Sequence, residues 1–256
     1  MKTASLRELI RAGEFLHMPA VYDPLGGRLV QNSGFKVCFV GGYVTGAALA
    51  ISEPLLTMTE QVGLAGAVAN AIDVPLIADA GAGWGDALHT MRTVREFCKA
   101  GVAGVHIEDQ VFPKRAHYHK YVAHVIPIGE YTEKIQYACG ERDRIDRNFL
   151  IIARTDSCRV FGVEEAAKRV NAAAKAGADM GLMFPRNQDE AARAEACRGA
   201  ADLCAEPRQP RRAANLLPPA IADHGLCRLH RGTIRHALRV HRDAQGAARS
   251  SRRRPL

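Results

Sequence analysis

Six short runs of apolar, β-prone residues recur along the chain: MPAVY at 18–22, VCFVGG at 37–42, PLIAD at 75–79, AGVHIE at 103–108, FLIIAR at 149–154 and DMGLMF at 179–184. Each is apolar almost throughout rather than alternating. That is the pattern of a strand buried on both faces, as in a parallel sheet covered by helices. Helical segments fill the gaps. One opens at Asp23-Pro24, a cap followed by proline at the first helical position, and stops near Gly34. Another starts at TMTE, where Thr57 and Glu60 have capping-box spacing, and runs to about Ile72. Further helices are predicted after Asp86 up to Gly101, over about 129–140, and from Val163 to Gly177. A helix at the amino end is predicted to be capped by Ser5 and Glu8, with Leu6, Leu9 and Ile10 on one face.

Three of these helices end in a small residue plus glycine just before the next strand (SGF, AGVAG, AGAD), a repeated helix-stop signal. Repeating strand–helix units predict an α/β fold, a (β/α)8 barrel of the TIM type, with a doubly wound sheet as the alternative. Polar residues gather at the carboxyl ends of the predicted strands: Asp23, Asp79, Glu108, Asp109, Arg154 and Asp156. In a barrel that end carries the chemistry. Helix capping is the competing role for Asp23 and Asp86. It does not account for Glu108 or Arg154, which close strands without starting a helix.

Beyond about residue 196 the pattern fails, so residues 1–196 are expected to form the barrel body and 197–256 an aberrant basic tail. The tail changes the meaning of the net charge of +8. Residues 207–256 hold 12 Arg, 2 Asp and no Lys or Glu, a net of +10, which leaves the other 206 residues at −2. From Arg208 onward the tail has no aromatic residue to stack on bases. Its Arg, Ala and Pro enrichment fits an out-of-frame translation of GC-rich DNA better than a nucleic-acid-binding segment. An inactive, truncated barrel and a nucleic-acid-binding protein remain as alternatives to an enzyme.

The seven cysteines show no C-x-x-C pair and irregular spacing, which suits reduced thiols rather than a disulfide framework. No apolar stretch approaches the roughly 20 residues needed to span a bilayer. Without an export signal, a cytoplasmic setting and no membrane partner are expected.

The stretch LIADAGAGWGDAL (76–88) is a strand running into a glycine-rich turn. It lacks the G-x-G-x-x-G spacing of a dinucleotide site. Asp79 ends this strand and Glu108 ends the next, so adjacent parallel strands place two carboxylates side by side at the barrel mouth. Two carboxylates with room for water suit Mg²⁺, with Mn²⁺ as its substitute. One strand further, Arg154 in LIIARTDS offers a guanidinium, suited to a substrate carboxylate. A salt bridge to one of the acids is its competing role.

The stretches MPAVYDPLGGRLVQNSGF, LIADAGAGWG, AGVAGVHIEDQVFPKR and FLIIARTDS, in this order over about residues 5–190, resemble the isocitrate lyase / phosphoenolpyruvate mutase family. The resemblance implies a (β/α)8 barrel and homo-oligomers that exchange a C-terminal helix, an expectation that this basic tail works against. It implies Mg²⁺ and cleavage of C–C or P–C bonds next to an enolate. By matched position, Asp79 would be the metal ligand and Glu108 a carboxylate holding metal-bound water. Arg154 would bind the substrate carboxylate, Gly41 and Gly42 would cradle the substrate, and Tyr22 and Asp23 would close the first strand beside it. The family's second turn aspartate is replaced by Gly81, and Glu53 in ISEPLL stands where another family acid would. The lyase branch's Lys-Lys/Arg-Cys-Gly-His loop reads Lys114-Arg115-Ala116-His117-Tyr118-His119 here, without its thiol.

That loop, PKRAHYHKY, has three readings. As a metal site it offers two histidines and no carboxylate at ligand spacing. As a solvated turn it would carry nothing. Its place after the metal-carboxylate strand is that of the family's gating loop, with His117, Tyr118 and His119 as proton donors and Lys114 and Arg115 neutralising a second carboxylate. The expected function is therefore a Mg²⁺-dependent carbon–carbon lyase acting on a small 2-hydroxy or 2-oxo dicarboxylate. The enzyme alternative is a phosphonate-handling mutase of the same family.

Overall fold

A computed structural model describes residues 1–13, 15–114 and 122–196, together with two short strands at 202–205 and 226–229. The elements follow the predicted alternation: α1 (Lys2–Arg11), β1 (Leu16–Pro19), α2 (Pro24–Asn32), β2 (Cys38–Val40), α3 (Gly42–Ala48), a 3₁₀ turn (Glu53–Leu55), α4 (Met58–Ala71), β3 (Leu76–Asp79), α5 (Ala87–Lys99), β4 (Gly104–Glu108), α6 (Ile128–Ile145), β5 (Leu150–Thr155), α7 (Cys158–Phe161), α8 (Val163–Lys175), β6 (Met180–Met183), α9 (Gln188–Ala196), β7 (Asp202–Ala205) and β8 (Leu226–Leu229).

Start and stop signals act as the chemistry requires. Asp23 accepts from Gly26 N at 2.5 Å, Asp86 accepts from Leu88 N and His89 N, and Thr57 and Glu60 form a reciprocal capping box. The helix-closing Gly34, Gly101 and Gly177 all have positive φ. Two expectations are corrected. Helix α1 starts at Lys2 with no side-chain cap, so Ser5 lies inside it; the earlier start lets the Lys2 ammonium reach the Ala69 carbonyl. The first strand lies at 16–19 rather than 18–22, because the chain already turns at 21–23 to set Asp23 as the α2 cap.

Strands β2 to β7 form one parallel sheet in sequential order. A single parallel bridge, Ala20 with Phe39, joins the β1 segment to β2. β8 pairs antiparallel with β1, Leu16 opposite Leu229, where a closed barrel would run it parallel. Among the described residues the barrel is thus incomplete. β7 continues the parallel wall beside β6, with Met180 opposite Asp202; the rest of 197–256 lies outside the described residues.

Strand alternation divides the core. Val40, Leu76, Ala78, Val105, Ile107, Ile151 and Ala153 face the helices and pack on Val68, Phe97, Tyr131 and Ile135. Phe39, Ile77, Leu150, Ile152, Met180 and Leu182 face the interior, with Leu6 of α1 beneath them. Since successive side chains alternate, the inward set continues upward as Asp79, His106, Glu108 and Arg154. The pattern that fills the barrel floor thus aims four polar groups into its mouth.

Candidate active site

The register fixes how these groups meet. Asp79 pairs with His106 across β3–β4, and Glu108 with Arg154 across β4–β5. Glu108 therefore stands one pleat above Asp79, not beside it, and its lateral neighbour is Arg154. All four are buried. Arg154 holds Asp156 through two bonds, Nε to Oδ1 at 3.1 Å and Nη2 to Oδ2 at 3.0 Å. Longer contacts run from Nη1 to Asp79 Oδ2 (3.3 Å) and from Nη2 to Glu108 Oε2 (3.2 Å). The guanidinium lies 4.8 Å from the centre of the Phe184 ring. The salt bridge weighed for Arg154 is thus present, with three acids rather than one.

Lys114 enters from the opposite side. Its Nζ donates to Glu53 Oε1 at 2.7 Å and lies 3.2 Å from Glu108 Oε1. Glu53, on the 3₁₀ turn, is drawn in because position 42 is glycine. A Cβ there would lie 3.1 Å from Glu53 Oε1 and 3.4 Å from Asp79 Oδ2. Gly42 N instead donates to Asp79 Oδ2 at 3.3 Å, and Gly81 N donates to Oδ1 at 2.7 Å. Trp84, held with φ +53, donates its indole N–H to Leu56 O at 2.9 Å and so ties the glycine turn to the 3₁₀ turn. Lys134 of α6 braces the same turn through Ala82 O at 2.9 Å.

Electrostatics separate the two carboxyls. Burial pushes Glu108 up to about 7, assisted by Asp156 and Asp79 and opposed by Lys114 and Arg154. Burial acts upward on Asp79 as well, but His106, Arg154, Lys114 and the Gly81 N–H hold it well below the usual carboxylate range. Burial lowers His106 to about 4. A neutral imidazole exerts little pull, so Arg154 and Lys114 are the cations that matter to Asp79. Its Nδ1 lies 3.4 Å from Asp79 Oδ1 and makes no hydrogen bond, while the ring stacks on Phe39 at 5.2 Å. Four carboxylates (Asp79, Glu108, Asp156, Glu53) thus face two cations.

These residues fit a divalent cation. Among the described residues Glu108 Oε1 is buried and accepts no hydrogen bond, with the Lys114 ammonium 3.2 Å away. The glycine at 42 leaves the cradle between Glu53 and Asp79 open. Among the described residues no three His, Cys, Asp or Glu side chains converge as a closed ligand set. A cation here would keep several waters, as Mg²⁺ does.

The expected loop is pinned at its base. Val111 N donates to His124 O at 2.8 Å and Ile126 N to Asp109 O at 2.9 Å, which brings the two ends together. Asp109 also accepts from Thr155 Oγ1 at 2.6 Å, Asp156 N at 3.0 Å and Arg169 Nη1 at 3.1 Å, so one carboxylate joins the loop base to β5 and α8. Arg115, His117, Tyr118 and His119 lie outside the described residues.

The cleft in front of these groups is lined by Gly42, Glu53, Leu56, Gln61, Asp79, Gly81, Ala82, Trp84, Phe112 and Lys114. Of the other expected residues, Gly41 sits beneath as the α3 cap residue, Asp23 is spent on capping α2, and Tyr22 is exposed at the rim. Sequence reasoning assigned no role to His106 or Asp156, although each lies two residues from an inward-facing site residue and shares its face. It also passed over Gln61, which no strand pattern marks.

The sequence matches the family model described as phosphoenolpyruvate phosphomutase over residues 6–229. It is 40% identical over 177 residues to a probable 2-methylisocitrate lyase 2 of Corynebacterium glutamicum, covering 69% of this chain and 57% of that one. It is 38% identical over 180 residues to the 2,3-dimethylmalate lyase of Eubacterium barkeri, covering 69% and 61%. The fold superposes on phosphonopyruvate hydrolase in complex with oxalate and Mg²⁺ with a TM-score of 0.74 at 28% identity, covering 80% of this chain and 71% of that one. The chain spans about three fifths of the length of these curated relatives.

Proposed function

This chain belongs to the phosphoenolpyruvate phosphomutase / isocitrate lyase family, and from that membership we propose that it is a Mg²⁺-dependent carbon–carbon lyase for a small 2-hydroxy or 2-oxo dicarboxylate, of the oxaloacetate or alkylmalate type, working through an enolate. The observation that carries the reading is the buried Asp79–Glu108–Arg154 cluster, in which carboxyl groups outnumber cations and Glu108 Oε1 accepts no hydrogen bond among the described residues, at the carboxyl ends of adjacent parallel strands. The relatives support the coarser part of it, a lyase of this family; the substrate type is read from the site.

Asp79 would bind the cation directly, and Glu108 and Glu53 would hold its waters. When bound, it supplies a Lewis acid that polarises the substrate's C2 oxygen. Arg154 takes the C1 carboxylate, giving up its contacts to Asp79 and Glu108 at 3.3 and 3.2 Å. The two shorter bonds to Asp156 keep the guanidinium plane fixed meanwhile. Lys114, already between two carboxylates, faces the second substrate carboxylate. The loop would close from its pinned base and exclude water; for a 2-hydroxy acid one loop histidine, His117 or His119, would take the C2 hydroxyl proton as the bond breaks, and His117, Tyr118 or His119 would protonate the carbon released. The missing loop thiol separates this chain from lyases that use cysteine there.

The test is a panel of oxaloacetate, 2,3-dimethylmalate, 2-methylisocitrate and phosphonopyruvate with and without Mg²⁺. It is run on this chain and on one whose residues after 196 are read in the restored frame. Mg²⁺-dependent cleavage of a carbon–carbon substrate supports the reading, and turnover of phosphonopyruvate alone would replace it with the mutase. Activity only in the frame-restored chain would show that the tail of 197–256 breaks the barrel rather than serving it. Translation of the other two gene frames into a strand, an Asn/Gly turn and an amphipathic helix would identify the lost units.

A further inference from the structure

Among the described residues that line the cleft, Gln61 neither holds the proposed cation nor contributes apolar wall, and unlike Lys114 its side-chain polar atoms have no hydrogen-bond partner. It sits in the first turn of α4 and is 1% exposed. Its backbone N–H is satisfied by Thr57 O at 3.2 Å, but neither its amide nitrogen nor its amide oxygen makes a hydrogen bond among the described residues. The polar groups around it do have partners. Trp84 Nε1 is held by Leu56 O, Thr93 Oγ1 by Gly83 O, and Lys114 Nζ by Glu53. Burying both ends of a primary amide without partners costs free energy, and folded proteins rarely leave such a group without a use.

The chemistry of the cleft says what the use is. Its lining combines the charged Glu53, Asp79 and Lys114 with the apolar Leu56, Trp84 and Phe112. A further charged group on a substrate's outer substituent would meet apolar walls there, with Lys114 already facing the second carboxylate of the dicarboxylate. A neutral group that both donates and accepts satisfies both ends of the amide at once. The ideal Cβ position at Gly81, which lines the same cleft, has nothing within 4 Å, so the cleft is open there.

We propose that Gln61 is a specificity-determining residue whose amide reads a hydroxyl on the outer substituent of the 2-hydroxy or 2-oxo acid held at Asp79, Glu108 and Arg154. The proposal rests on the lyase reading and narrows its substrate class to hydroxylated side chains over purely alkyl ones. A site with a buried polar group waiting for a partner discriminates strongly against the analogue that lacks it.

The test compares 3-(hydroxymethyl)malate with 3-ethylmalate, a pair of equal size differing by one hydroxyl, on the full chain with Mg²⁺. The wild type should prefer the hydroxylated substrate in kcat/KM by roughly tenfold or more. Gln61→Met, and Gln61→Leu as a second variant, should remove that preference while keeping turnover of 3-ethylmalate. A preference unchanged by either substitution overturns the proposal and leaves the lyase reading standing. No turnover or calorimetric binding of either compound by the wild type, where the broader panel also fails, removes the lyase reading and the proposal with it. A third measurement needs no substrate. An amide held without a partner makes the ligand-free protein less stable, so Gln61→Met should raise its Tm by about 2 °C. A fall in Tm together with an unchanged substrate preference means that the amide already has a partner in the ligand-free protein, and overturns the proposal.

Discussion

Arg154 Nη1 lies 3.3 Å from Asp79 Oδ2, although 75 residues and one intervening strand separate them. The contact exists because both side chains sit on the inward face at the carboxyl ends of β5 and β3, where parallel register leaves them no other direction to point. It joins the proposed metal ligand to the proposed carboxylate receptor.

The first prediction concerns that guanidinium. Arg154→Lys keeps a positive charge but loses the two-pronged hold on Asp156 and the planar face against Phe184. Turnover should fall roughly a hundredfold in kcat/KM, with most of the loss in KM if the lost group bound substrate in ground and transition states alike. Steady-state kinetics on the cleaved substrate checks this. Unaltered kinetics would mean that Arg154 only neutralises Asp156.

Lys114 is a cation inside a carboxylate cluster, bonded to Glu53 and facing Glu108. A divalent ion bound there competes with it electrostatically. Lys114→Met should therefore tighten Mg²⁺ by a few-fold, about 1 kcal/mol, while lowering activity. The check is a Mg²⁺ titration followed by the emission of Trp84, the only tryptophan in the chain and a lining residue of the cleft. Weaker Mg²⁺ binding in the variant would show that Lys114 supports the cation.

Asp109 is fully buried and accepts from Thr155, Asp156 and Arg169 while its own backbone closes the loop base. Asp109→Ala leaves the buried Arg169 short of a counter-charge and should cost about 3 kcal/mol of stability. The denaturant midpoint should drop at unchanged slope. A loss under about 0.5 kcal/mol would mean that water replaces the carboxylate freely.

Burial raises the thiols of Cys38 and Cys158 to about 11, and of Cys98 and Cys139 to about 12. A thiol at 11 is ionised to only about one part in a thousand at pH 8. Alkylation of these four at pH 8 should be slow in the folded protein, should quicken only as pH climbs towards 10, and should be fast in denaturant. Peptide mass mapping reads all four separately. Rapid labelling of Cys38 at pH 8 would contradict its burial.

Much of this was legible in the chain. The strands announced themselves because parallel strands covered on both faces must be apolar on both. Asp23, Thr57 and Asp86 marked helix starts because a helix's first N–H groups need an acceptor. Asp79, Glu108 and Arg154 stood out as charges ending apolar runs. Other features needed three dimensions. The capping-box spacing of Ser5 and Glu8 misled because tertiary contacts of Lys2 and Leu6 set the start of α1. The one-pleat offset between Asp79 and Glu108 is a matter of register, which no single strand encodes. His106 was hidden as one polar residue inside a strand, although its spacing of two from Glu108 put it on the inward face. Gln61 looked like an ordinary residue of the first turn of α4; only the cleft in front of it shows that its amide lacks a partner among the described residues.

The most direct test is a Mg²⁺ titration of wild type and Asp79→Ala by Trp84 emission, with pyruvate release from oxaloacetate measured in the same samples. Saturable Mg²⁺ binding and Mg²⁺-dependent release in the wild type, both lost in Asp79→Ala, is the predicted result. Pyruvate release by Asp79→Ala at the wild-type rate would contradict the proposed cation site.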